Sequence, residues 1–186
     1  VMFLPERALS EFGLGCDGRL YFADYGGGWS VNKNGTIQVL EPKDPALLKA
    51  GEAVAKLFAK GLGEHDLKQL KALLNHPDQR VRKLAQFELV VRGPNGKSIL
   101  VEVSQSKEAS LFSRLHALWG LGQLGRQGKG DHKALLGLLR DAADEVRANA
   151  ACVPGDLRPD DARDGWPRLL GHKSLRCLLP PLIAVS

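Results

Sequence analysis

Three glycines near the middle of the chain match a pattern that binds phosphate in other proteins. Gly120, Gly122 and Gly125 fit GxGxxG letter for letter. In a dinucleotide-binding fold these glycines follow a strand and open a helix, so that the pyrophosphate meets the helix N-terminus. Here they follow an apolar helical stretch, residues 115–119. We therefore interpret them as small packing residues and a helix end, followed by a flexible loop.

The residues that could bind a metal or perform catalysis are scattered along the chain. None of the five histidines pairs with a second ligand at helical spacing. Cys16, Cys152 and Cys177 form neither CxxC nor the haem-attaching CxxCH, and we interpret them as small buried hydrophobic residues. The pair Asp160-Asp161 has no partner base. The sequence thus predicts no catalytic residue, metal ligand or cofactor in this chain.

Composition and charge point to a folded protein without membrane insertion. The chain has 186 residues, of which 44% are hydrophobic and 25% charged, and no apolar run reaches the length of a membrane helix. Residues 1–60 carry seven basic and seven acidic residues, so the net charge of +5 belongs to the remainder. The basic residues there form no run, which favours a solvated helical surface and leaves an acidic or nucleic-acid partner as alternatives. The start lacks a signal peptide, and its first residue, Val1, suggests an upstream segment.

Two strand-like segments lie near the N-terminus. Residues 20–23 favour a strand, and residues 36–40 alternate polar and apolar side chains. A turn dipeptide precedes each segment, and a glycine-rich loop with Trp29 lies between them. We predict a β-hairpin over residues 1–42. Because a lone hairpin is only marginally stable, we expect it to be the end of another domain and the chain to be part of a longer protein.

The rest of the chain repeats a helical unit. Arginines recur at spacings of 32, 33 and 29 residues, and each follows a turn that is itself preceded by an apolar helical pattern; they are Arg82, Arg114, Arg147 and Arg176. The predicted fold is mainly α, an α-α superhelix of about four helix pairs over residues 64–186 with the N-terminal hairpin. A linker helix over residues 43–63, capped by Asp44 and with Pro45 in its first turn, would begin the array. Prolines 154, 167, 180 and 181 predict an irregular C-terminus.

The hairpin resembles the last blade of a β-propeller of the sorbosone/glucose dehydrogenase kind. In that family a blade reads D-G-x-L-Y-x-A-D, then a Gly/Trp loop, then G-x-I-x-x-L. The quinone or calcium site of such a family draws on several blades, so no catalytic residue carries over. The matching residues are Asp17, Gly18, Leu20, Tyr21, Ala23, Asp24, Trp29, Gly35, Ile37 and Leu40.

Residues 62–186 resemble HEAT repeats, most closely the short HEAT-like repeats also present in phycobilisome lyases. In HEAT families a turn aspartate and a later arginine often hydrogen-bond as a ladder. The resemblance implies such pairs for Asp78 with Arg82 and for Asp144 with Arg147. Arg114 would be a further rung with only Glu108 near the acidic position, so the implied ladder is incomplete.

The order of the two segments, propeller end and then HEAT repeats, is similar to that in large exported proteins of planctomycete-type bacteria. Those proteins join a propeller, HEAT repeats and a haem-binding cytochrome domain. The two resemblances imply a non-catalytic, protein-binding scaffold segment of a periplasmic or exported dehydrogenase-like redox protein. A nucleic-acid-binding solenoid is the alternative, and it would use a basic face with Lys83, Arg92 and Arg126. A lyase-type enzyme would need a reactive cysteine, for which Cys152 is a poor candidate. Fold alone decides none of these.

Overall fold

The computed structural model describes residues 9–24 and 35–157. The chain divides into two compact units, Val1–Gly61 and Leu62–Ser186. The first unit contains the described strands and one helix, and the second contains six described helices. The architecture is therefore mainly helical with a small N-terminal antiparallel sheet, as the sequence predicts at that level.

The sheet of the first unit has three described strands where the sequence predicts a hairpin. β1 (Leu9–Leu14), β2 (Leu20–Asp24) and β3 (Thr36–Leu40) pair antiparallel in the order β1-β2-β3. The predicted hairpin is β2 and β3, in register from Leu20 opposite Leu40 to Asp24 opposite Thr36. The two-stranded prediction was wrong because β1 contains Gly13 and an irregular register near Leu9. Its extended conformation depends on pairing with β2 more than on local propensity.

The helix of the first unit is α1 (Pro45–Lys60). The Asp44 side chain accepts a hydrogen bond from the Ala46 amide at 2.8 Å, and Pro45 occupies the first turn. Both helix-start signals in the sequence are thereby confirmed. A Cβ at Gly51 would lie 2.1 Å from the carbonyl oxygen of Asp17, so α1 meets the β1–β2 turn backbone to backbone. The helix that we expected to begin the helical array thus contacts the β1–β2 turn of the first unit.

The second unit is built from consecutive helix pairs. Each helix packs on its partner within a pair, and α3, α5 and α7 also pack on one another in sequence, as α2, α4 and α6 do. The largest fully buried side chains include Leu70, Leu89, Leu118 and Leu135, which come from four different helices. The helices are α2 (Leu67–Leu73), α3 (Gln79–Val91), α4 (Pro94–Gln105), α5 (Leu111–Arg126), α6 (His132–Leu138) and α7 (Asp144–Leu157).

Short side chains cap the start of most of these helices. Asp66 forms a reciprocal capping box with Gln69 at the start of α2. The side chains of Asp78, Ser110 and Asp131 accept backbone amides at the starts of α3, α5 and α6. Each of these caps fixes where its own helix begins.

Some predictions concern other parts of the chain or need correction. The fourth helix pair, with Arg176, Pro167 and the two C-terminal prolines, lies outside the described residues, as do Trp29 and Asp160-Asp161. Cys16 and Cys152 are exposed, so the prediction that they are buried was wrong, while Cys177 is not described. Within the described ranges, no helix has the length and apolar character required to cross a membrane.

Candidate functional site

Two of the repeated arginines hold the turn that precedes their own helix. Arg82 Nη1 donates to the carbonyls of His76 and Pro77, each at 2.7 Å. Arg147 Nη1 donates to the carbonyls of Asp141 and Ala142 in the equivalent turn. In both cases the acceptors lie six and five residues before the arginine. Arg82 and Arg147 therefore fix the conformation of the turn inside their own helix pairs.

The aspartate that we paired with Arg82 contacts a different arginine. Asp78 caps α3 and forms an ion pair with Arg80 Nη2 at 2.7 Å. The hydrogen bonds from Arg80 keep the pKa of Asp78 below its usual range. Arg82 has no carboxylate partner among the described residues, and its guanidinium lies 5.1 Å from the ring centroid of Phe112. The predicted Asp78–Arg82 rung was wrong because the neighbouring Arg80 reaches the same carboxylate.

The other predicted arginines do contact carboxylates. Arg147 Nη2 forms the expected ion pair with Asp144. Arg114 binds both carboxylate oxygens of Asp141, which lies in the turn of the next helix pair and not near Glu108. Burial acts to raise the pKa of Asp141, but the hydrogen bonds and charge of Arg114 outweigh it and lower the pKa. Arg114 therefore ties one pair to the next.

Neutral hydrogen bonds make the corresponding link between the first two pairs. Ser113 Oγ donates to the Leu74 carbonyl at 3.0 Å, and Ser110 Oγ lies 2.6 Å from Asn75 Oδ1. These four residues join the α2–α3 turn to the start of α5. Successive turns are thus connected throughout the described array, and these arginines act in the scaffold.

The GxGxxG glycines lie inside α5, as the sequence predicts. A Cβ on Gly120 would lie 2.9 Å from both Cδ atoms of Leu100, and one on Gly122 would lie 2.9 Å from Val153 Cγ1. Because Gly120 has no side chain, α4 can pack closely against α5 at this position. Gly122 allows the same close packing of α7. The three glycines neither follow a strand nor open a helix, so they lack the geometry of a dinucleotide loop.

A buried polar network crosses the layer of α3, α5 and α7. His116 Nδ1 lies 2.8 Å from Gln86 Oε1, and with the amide in this orientation the ring nitrogen is the donor. Gln86 Nε2 in turn donates to Gln123 Oε1 at 3.2 Å. His116 is 3% exposed. Burial, followed by the charge of Arg82, lowers the pKa of His116 to about 4.

A second hydrogen bond extends this polar contact to α7. Trp119 Nε1 donates to Asn149 Oδ1 at 2.9 Å, and the His116 and Trp119 rings meet edge to face at a centroid distance of 5.0 Å. Asn149 also donates to the Glu145 carbonyl. The three helices are therefore held in one register by specific polar pairs, which supply orientation that apolar packing alone does not.

An open groove lies between α3 and α5, and we call it the α3–α5 groove. Phe87 and Val91 remain 40% and 77% exposed there. Lys83 lies one helical turn before Phe87, with its Nζ 5.5 Å from the ring centroid. The groove has a volume of about 430 Å³ and is open to solvent. The lining residues are Phe87, Val90, Val91, Gln123, Arg126 and Gln127.

The three residues proposed for a basic interaction face have different environments. Lys83 and Arg126 are exposed and flank or line the α3–α5 groove. Arg92 pairs with Glu88 at 2.7 Å and donates to the carbonyls of Gly63 and His65. Arg92 therefore anchors the segment before α2 and is not part of the groove.

Sequence reasoning missed the apolar side of this groove. Phe87 and Val91 lie outside the buried stripe of α3, four residues apart, and this spacing was the available signal. In the described ranges, no three His, Cys, Asp or Glu side chains form a cluster that could hold a metal ion. A scan against models of known protein families and a search of curated proteins each returned no match to this chain.

Proposed function

We propose that this chain is a protein-binding scaffold segment and that its second unit is a HEAT-like solenoid of about four helix pairs. The equivalent packing of the described pairs, with the turn clamps of Arg82 and Arg147, supports the repeat interpretation. The proposal of protein binding rests on the exposed side chains of Phe87 and Val91 in the α3–α5 groove. Exposed aromatic and aliphatic side chains in a preformed groove are typical of protein-interaction sites.

The wider setting that we propose comes from the sequence resemblances. The chain would belong to a larger exported, dehydrogenase-like and haem-binding redox protein, with the helical unit as spacer or docking surface. The first unit would then be the end of a propeller. The exposed apolar residues Phe12 and Ile37 on its sheet, 74% and 76% exposed, fit a sheet that packs on further structure.

Nucleic-acid binding receives less support from the three basic residues Lys83, Arg92 and Arg126. Arg92 is engaged with Glu88 and with backbone carbonyls, which leaves Lys83 and Arg126 as the exposed cations of the three. Two separated cations would neutralise few phosphates and give weak binding with a shallow salt dependence.

A direct test selects peptides from a displayed random library against the purified full chain and measures their affinity by fluorescence anisotropy. We expect binders that lose affinity in the double variant Phe87→Ser/Val91→Ser. The matched control is Phe12→Ser, which removes an exposed aromatic ring from the other unit. Circular dichroism melting checks that all variants fold. If no selected peptide binds the folded chain, or a DNA duplex binds more tightly than any peptide, the proposal is wrong.

A further inference from the structure

We draw no further inference here: the strongest candidate, the open apolar face of α3 and α5 around Phe87 and Val91, carries nothing beyond the proposed function because nothing in the described part of the chain shows what covers it.

Discussion

The guanidinium of Arg114 in α5 holds both carboxylate oxygens of Asp141, which belongs to the turn of the next helix pair. Its Nε also donates to the Ser104 carbonyl in α4 at 3.1 Å. The two side chains are only 9% and 15% exposed. One arginine thus joins α4, α5 and the α6–α7 turn, and its contacts are largely shielded from water. Its contact with Asp141 is a two-oxygen ion pair between successive helix pairs.

Removing either member of this pair is expected to destabilise the second unit strongly. Arg114→Ala leaves the Asp141 carboxylate without its partner, and Asp141→Asn leaves the guanidinium without a charge partner. Loss of one partner of a buried ion pair costs about 3 to 5 kcal/mol, and the remaining exposure of Asp141 places this pair near or below the lower figure. Urea unfolding followed by circular dichroism measures the loss. A double-mutant cycle with a coupling near zero would contradict the pairing.

The pair Asp78 and Arg82 is expected to give the opposite result in the same type of cycle. Asp78→Ala removes the α3 cap and should cost about 1 kcal/mol. Arg82→Met removes the clamp on the His76 and Pro77 carbonyls while keeping apolar volume beside Phe112. Because the two side chains do not contact each other and share only the turn at His76, their coupling energy should be smaller than that of Arg114 with Asp141. A large coupling energy would restore the rung that the sequence suggested.

Local signals account for most of what the sequence predicted correctly. The cap at Asp44, the apolar stripes and the strands β2 and β3 depend on residues close in sequence, and they were found where expected. Arg114 was selected because it repeats, but its partner was not found. Asp141 lies 27 residues away, and only the packing of α5 against the next turn brings the two together.

The residues around the groove were harder to predict because their environments also depend on contacts between residues far apart in sequence. Lys83 and Arg126 were chosen for charge, and Arg92 looked equivalent to them in sequence. Its different role depends on a contact with the Gly63 carbonyl, 29 residues earlier. Gln86 and His116 come from different helices, so the network that orients Gln123 exists only once α3 and α5 have packed.

Glycines in two helices should respond to alanine in opposite ways. A Cβ at Gly96 would lie 1.8 Å from the Leu89 carbonyl oxygen, so Gly96→Ala must separate the α3 and α4 backbones. We expect a loss of about 3 kcal/mol or more, comparable to severe overpacking. Gly137 is exposed in α6 and a Cβ there meets no atom within 4 Å, so Gly137→Ala should stabilise by up to about 1 kcal/mol. Thermal melting of both variants measures the contrast, and destabilisation by Gly137→Ala would contradict the described α6.

Burial of neutral His116 predicts a specific dependence of stability on pH. The folded pKa, about 4, lies below the value of 6.5 for a free side chain, so the unfolded chain binds a proton that the folded chain does not. The stabilising contribution is therefore complete above pH 6.5 and is lost as the pH falls from there toward 4. With about 1.4 kcal/mol per pH unit, the loss over this window is roughly 2 to 3 kcal/mol.

The matched variant His116→Asn separates this effect from the titration of other groups. Asparagine can keep an N–H donor near the position of Nδ1, but it does not titrate, so its unfolding free energy should fall less than that of the wild type between pH 7 and 4.5. Nitrogen-15 NMR of the wild-type imidazole gives an independent readout. Because Gln86 Oε1 accepts from Nδ1, the neutral ring should carry its proton on Nδ1. A proton on Nε2 would require the Gln86 and Gln123 amides to be oriented the other way.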